Sequence, residues 1–250
     1  MAKLVQKSGY IKSGKASGYM RYIATREGVE KLAGNGSVTK GQRELIQKLL
    51  TDFPDAVELF EYEDYCKTPT LGTASAFISM ALDANLHEID SESGYMQYIA
   101  TRPRAQKRGI HGLFSSATAV DLASAISELE AHEGNVWTII YSLRREDADR
   151  LEYDNADAWR ALLMENAPTL AKSMKISLDN FHWYAAFHDE GHHPHIHMMV
   201  WSDDPKEGFL TKDGIAAMRS KLTNAIFRDE MQQIYERKDA AYSDLVEAAQ

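Results

Sequence analysis

The fold is decided by residues 180–201, which read NFHWYAAFHDEGHHPHIHMMVW. The two apolar runs in this stretch, 180–187 and 194–201, have the length and the aromatic content that are typical of β-strands. The polar residues between them, 189–193, include a glycine and are typical of a turn. We therefore predict two antiparallel strands that pair as neighbours.

Five of the nine histidines of the protein fall within residues 188–197. Successive side chains of a strand point to opposite faces of the sheet, so His195 and His197 share one face. His188 ends the preceding strand and can supply a third nitrogen across the turn. Three neutral imidazoles with open coordination positions suit a divalent metal that must also hold substrate oxygens. The competing interpretation is a surface cluster with incidental affinity for zinc.

The acidic residue of this segment does not fit the zinc-protease motif. Glu190 is the third residue of His188-Asp-Glu-Gly-His192, whereas that motif has glutamate directly after the first histidine and lies on a helix. We expect Glu190 to accept a hydrogen bond from a metal ligand or to take a proton from the substrate. His192 and His193 lie in the turn, and we expect them to contact a phosphate or to face water.

The remaining sequence predicts helices around an antiparallel sheet. Helical spacing of apolar residues over 40–50, 56–67 and 74–85 indicates a helical insertion, which we place at about 35–90. The other predicted elements are strands over 2–7, 108–115 and 136–143, helices over 120–132 and from Lys212, and a helix over 156–176 that Pro168 divides in two. Because βα units of regular length do not recur, an α+β fold is favoured over a doubly wound parallel sheet.

Charge is distributed unevenly along the chain. A net charge of −9 argues against nucleic acid, whose binding depends on neutralising phosphates with Lys and Arg. However, residues 1–50 carry +7, and the other 200 residues carry −16. A second basic segment, Arg102-Pro-Arg-Ala-Gln-Lys-Arg108, interrupts the acidic remainder. The distribution allows a polyanionic partner without requiring one.

A ten-residue motif occurs twice, as SGYMRYIATR at 17–26 and as SGYMQYIATR at 93–102. In a helix, the two tyrosines of each copy would share one face beside an arginine. The four candidate tyrosines are Tyr19, Tyr22, Tyr95 and Tyr98. The alternative is that they serve only in packing.

Composition limits where the protein can act. No run approaches the roughly 18 apolar residues that span a bilayer, so we expect no membrane insertion. The single cysteine, Cys66, excludes a disulfide framework and cysteine-based metal sites, and it suits a reducing cytoplasm. Residues 242–250 have helical composition without a stop signal, so we expect the natural protein to continue beyond Gln250.

The spacing of His188, Glu190 and Pro194-His-Ile-His197 resembles the His-hydrophobe-His motif of conjugative relaxases. It is most similar to the MOBP class of the HUH endonuclease superfamily, which mobilises plasmids and integrative conjugative elements. The resemblance covers most of residues 2–230, and the helical stretch from 40 to 85 departs from it.

The resemblance implies a five-stranded antiparallel sheet with helices on its faces. It also implies a relaxase domain over 1–250 with a divalent metal, manganese or magnesium with zinc as the alternative, on His188, His195 and His197. The implied activity is site- and strand-specific nicking and rejoining of single-stranded DNA at a transfer origin, through a covalent 5′-phosphotyrosine. Accessory relaxosome proteins, a coupling protein and a bacterial cytoplasm are the implied surroundings.

The resemblance leaves the nucleophile open. Relaxases usually carry it on the first helix after the N-terminal strand, which favours Tyr22. The distance in sequence to the metal motif also suits Tyr98, and both copies could act. The basic residues expected to hold DNA are Arg21, Arg26, Arg102, Arg104, Lys107 and Arg108.

Three other functions are compatible with the same residues. A rolling-circle replication initiator shares the metal motif and the tyrosine, and differs in acting at a replication origin. A hydrolase of another fold would use the histidines to activate water. A non-catalytic DNA-binding module would bind without cutting.

Overall fold

The computed structural model describes residues 3–10, 36–85, 96, 100, 111–132, 134–189 and 192–228. Its five strands form one antiparallel sheet in the order β1-β3-β5-β4-β2. The strands are β1 (Val5–Tyr10), β2 (Leu113–Ser115), β3 (Trp137–Ser142), β4 (Phe181–His188) and β5 (His195–Ser202). The predicted α+β class with a five-stranded antiparallel sheet is confirmed.

Seven α-helices surround this sheet in the part of the chain that the structure describes. They are α1 (Lys40–Asp52), α2 (Phe60–Lys67), α3 (Leu71–Ala84), α4 (Leu122–Glu130), α5 (Arg145–Arg150), α6 (Ala156–Ser173) and α7 (Lys212–Ile226). Short 3-10 turns lie at Pro54–Glu58 and Leu178–Asn180. Among the described residues no helix is both long and apolar enough to cross a membrane.

One face of the sheet is mainly apolar. Its side chains, among them Ile139, Trp183 and Met198, form a single buried cluster with Trp159 of α6 and Leu222 of α7. Burying side chains of this size contributes about 1.5–3 kcal/mol each. This face therefore stabilises the sheet.

The opposite face carries the histidines and is covered in two parts. Helix α4 packs Ala125 and Leu129 against Leu113 and Met199 of the sheet. Helices α1, α2 and α3, which we call the helical layer, have their own apolar core and meet the sheet at Ile140. The histidines consequently lie beneath helices.

The predicted break at Pro168 is wrong, because α6 runs from Ala156 to Ser173 without interruption. Proline removes a hydrogen bond to the carbonyl four residues earlier, at a cost of about 3 kcal/mol. That residue, Met164, is 42% exposed, so water can reach the freed carbonyl. Leu163 and Leu170 on the other side of the helix are fully buried, and their packing offsets the loss.

Several other boundaries differ from the prediction, and two of them have a clear physical reason. The first strand was expected over 2–7 but spans Val5–Tyr10, because Gly9 pairs with Thr138 in spite of its loop-like neighbours. The predicted helix over 56–67 is divided, since the extended backbone of Leu59 separates the 3-10 turn from α2. Pairing and packing over long range outweigh local preference at both places.

The contact between α6 and α7 depends on a glycine, which leads to a stability prediction. A Cβ on Gly214 would lie 2.5 Å from the carbonyl oxygen of Ser173, so Gly214→Ala must separate the two helices. We expect a loss of about 1–3 kcal/mol and a melting temperature lower by about 2–4 °C per kcal/mol. The control is Gly41→Ala on α1, where nothing lies within 4 Å of the added carbon. Equal melting curves for the two variants would contradict the prediction.

Candidate metal centre

The register of β4 and β5 brings three histidines together on one face. His188 lies directly opposite His195, and His197 follows on the same side of β5. The ring centroids are 5.2 Å apart for His188 and His195, 4.5 Å for His188 and His197, and 5.0 Å for His195 and His197. One ligand nitrogen from each residue lies within 4.8 Å of the other two. A single ion can therefore reach all three.

The protonation of His195 suits a metal ligand. Its Nδ1 lies 3.0 Å from the backbone carbonyl oxygen of His193, which can only accept, so Nδ1 carries the proton. The lone pair then lies on Nε2. A backbone carbonyl of this kind fixes the tautomer and the orientation of a metal-bound imidazole. Because the three rings are at most 1% exposed and imidazole is a common metal ligand, the donor set fits a divalent ion.

A hydroxyl lies beside the histidines. Ser142 of β3 is the direct cross-strand neighbour of His195 and therefore shares its face. Its side chain is buried. The site thus combines imidazole nitrogens with a hydroxyl that can donate to an oxygen of a ligand.

The loop before β5 is attached to the end of β3. The backbone N–H of Arg145 donates to the carbonyl of His192 at 2.9 Å, and that of Leu143 donates to the carbonyl of Pro194 at 3.2 Å. The guanidinium of Arg145 also pairs with the Asp189 carboxylate. These bonds hold the loop on either side of His193.

His193 itself is bound by the helical layer. Its ring stacks on Phe60 of α2 at 5.2 Å, and its Nε2 donates to the Asp64 carboxylate at 2.8 Å. Asp64 also accepts from Arg144 at 3.2 Å. Burial opposes the charge of Asp64, but its bonds to His193 and Arg144 prevail and lower its pKa. Burial lowers the pKa of His193, so a neutral ring donates to a charged carboxylate.

The expectation that both turn histidines contact a phosphate or water is half wrong. His192 is exposed as expected, but His193 is only 4% exposed and lies against Asp64. The two residues of this pair are separated by 129 positions in the chain, so local sequence carries no sign of their contact.

A family model for MobL relaxases matches residues 1–250. The chain belongs to the MobL relaxase family. Comparisons with curated proteins and with solved structures found no match. The expectation of a relaxase is thereby confirmed at the level of the family.

The helical layer of this MobL relaxase brings two further acids close to the histidines. Glu61 of α2 and Asp83 of α3 are buried and line a cavity of about 50 Å³ together with His195. Sequence reasoning named only Glu190 as a proton acceptor and missed both. Asp83 had a recognisable signal, because it is the only acid in the apolar helix α3.

Most of the other predicted site residues of the MobL relaxase lie outside the residues that the structure describes. These are Tyr19, Tyr22, Tyr95, Tyr98, Glu190, Arg21, Arg26, Arg102, Arg104, Lys107 and Arg108. Their roles remain predictions.

Two described tyrosines of the sheet are poor nucleophiles. Tyr141 lies on the face opposite the histidines, and burial raises its pKa. Burial also raises the pKa of Tyr184, as does its hydrogen bond to Glu128. Both phenols therefore stay protonated at neutral pH.

Proposed function

We propose that the protein nicks and rejoins one DNA strand at a transfer origin by metal-dependent transesterification, and that this starts conjugative transfer. The observation that carries the proposal is the cluster of three buried imidazoles on one sheet face in a member of the MobL relaxase family. The motif spacing further supports an HUH mechanism like that of the MOBP class. The family match favours a transfer origin over the replication origin of a rolling-circle initiator.

The three imidazoles would hold a divalent ion. When bound, the ion would polarise the scissile phosphate and stabilise the charge that develops on its oxygens. Imidazole ligands suit zinc better than magnesium, which prefers oxygen, and manganese is the other ion that we propose. In this proposal the hydroxyl of Ser142, the cross-strand neighbour of His195, would donate to a phosphate oxygen.

The nucleophile in this proposal is Tyr22 or Tyr98. Its phenolic oxygen bonds to phosphorus while the bond to the 3′ oxygen breaks, and the departing 3′ oxygen takes a proton. A phenol with a pKa of about 10 needs a base at neutral pH, and Glu190, Glu61 and Asp83 are the candidate acceptors. The free 3′ hydroxyl can later attack the phosphotyrosine, so the strand is rejoined without another source of energy.

Basic residues outside the described part of the chain would hold the single strand by its phosphates. We assign this role to Arg21, Arg26, Arg102, Arg104, Lys107 and Arg108. The proposed surroundings are the bacterial cytoplasm, with accessory relaxosome proteins and a coupling protein as partners.

Relaxation of a supercoiled plasmid that carries the cognate transfer origin tests the proposal. With manganese we expect open circles, because one strand is cut, and with a chelator we expect the plasmid to stay supercoiled. A plasmid without the origin is the control. Cutting of both plasmids to the same extent, or conversion to linear DNA, would contradict strand-specific nicking at an origin.

A further inference from the structure

We propose that Asp64 is a positioning residue of the metal centre, which acts by holding His193 so that the His193 carbonyl orients His195. This inference rests on the proposed role of His195 as a metal ligand. It assigns the helical layer a part in metal binding beyond covering the sheet.

The first step is the bond between His195 and the loop. The Nδ1–H of His195 donates to the carbonyl oxygen of His193 at 3.0 Å, and this bond leaves Nε2 as the nitrogen that can bind a metal. A carbonyl that moves would let the His195 ring rotate or change its tautomer. Loss of such a hydrogen-bond partner typically lowers metal affinity about 10–100-fold.

The second step is the way His193 is fixed. Its ring lies between the loop and α2, stacked on Phe60, and its Nε2–H donates to Asp64 at 2.8 Å. The side chain is almost completely buried, so water cannot replace the carboxylate readily. Loss of Asp64 would leave a buried N–H without its acceptor and would release the ring.

The third step is the way Asp64 is fixed. Arg144 donates to Asp64 at 3.2 Å, and its guanidinium also lies 4.7 Å from the centre of the Phe60 ring. Arg144 follows β3, two residues after Ser142, which is the cross-strand neighbour of His195. The contacts therefore form a closed ring, from β3 through Arg144, Asp64 and His193 to β5 and back.

The same helix supplies a matched control. Glu63 is the neighbour of Asp64, has a similar exposure, and also pairs with Arg144, at 3.1 Å. Its other ion pair is with Lys3 at 2.6 Å. Glu63 therefore shares the ion cluster of Asp64, whereas the contact with His193 is made by Asp64.

The test measures cobalt binding to the full chain by titration and by the visible absorption of the bound ion, which reports ligand geometry. We expect Asp64→Ala to weaken cobalt binding about tenfold and to change the spectrum, because His195 is no longer oriented. Asp64→Asn keeps an accepting oxygen, so its affinity should fall between those of the wild type and Asp64→Ala. Glu63→Ala should bind within about twofold of the wild type with an unchanged spectrum. Melting of the metal-free proteins shows whether each variant is folded.

Each result decides between the two proposals. Wild-type affinity and spectrum in both Asp64 variants would overturn this inference, as would equal losses in Asp64→Ala and Glu63→Ala, which indicate docking of the helical layer alone. If His195→Ala abolishes cobalt binding while the Asp64 variants do not alter it, only this inference fails. If the wild type binds no cobalt, or if His195→Ala binds cobalt as tightly as the wild type, the proposed metal centre fails and the inference fails with it.

Discussion

Replacing His195 or His197 with alanine is expected to abolish nicking while leaving the fold intact. Each change removes one of the three proposed imidazole ligands, so the ion that would stabilise the phosphate charge would be lost or misplaced. Several kcal/mol of transition-state stabilisation are at stake, which corresponds to at least about a thousandfold in rate. Cleavage of a labelled single-stranded oligonucleotide with the cognate nick site gives the rate, and calorimetric titration with manganese or zinc gives the affinity.

His182→Ala is the matched control for these variants. His182 lies on β4 and faces the same side of the sheet as His188, but it is partly exposed and pairs with Asp203 at 2.7 Å. We expect it to retain both nicking and metal affinity. If His195→Ala and His197→Ala bind metal as tightly as the wild type, the three-histidine centre is wrong.

The second large effect is expected from the tyrosines of the repeated motif. Tyr22→Phe or Tyr98→Phe should remove the covalent attachment to DNA, because phenylalanine keeps the ring and lacks the attacking oxygen. Loss of the adduct in only one variant identifies that tyrosine as the nucleophile. Partial loss in each indicates that both copies act. A denaturing gel of the oligonucleotide after reaction measures the adduct.

The control for this experiment is Tyr184→Phe. Tyr184 donates to Glu128 and its raised pKa keeps it protonated, so we expect its loss to leave the adduct unchanged. Cleavage that persists at the origin when Tyr19, Tyr22, Tyr95 and Tyr98 are all phenylalanine would show that no tyrosine of the motif attacks.

The strand pair and its histidines could be predicted because their information is local. Alternation along β5 places His195 and His197 on one face whatever surrounds them. A short turn between two apolar runs makes antiparallel pairing the simplest arrangement, and the observed register brings His188 opposite His195. The predicted strands agree with β4 and β5 to within one residue.

The surroundings of the centre could not be predicted, because they depend on how distant segments pack. The contact of His193 with Asp64 joins the helical layer to a turn far along the chain. Each of the two residues, considered alone, is of a polar type that usually lies at the surface. The effect of Pro168 on its helix was overestimated for the same reason. The proline is locally unfavourable, but the burial of Leu163 and Leu170 offsets its cost. That burial depends on the packing of α6 against the sheet.

The most direct test of the central claim is the chemical state of the DNA after cleavage by the wild-type protein. Reaction with a 5′-labelled and a 3′-labelled oligonucleotide is followed on denaturing gels, and mass spectrometry of the digested protein locates any attached nucleotide. We expect the fragment downstream of the nick to be joined to a tyrosine through its 5′-phosphate, only when a divalent metal is present, with a free 3′ hydroxyl on the other fragment. Two free fragments, with no protein attached at any time, would instead indicate hydrolysis by water and would contradict transesterification.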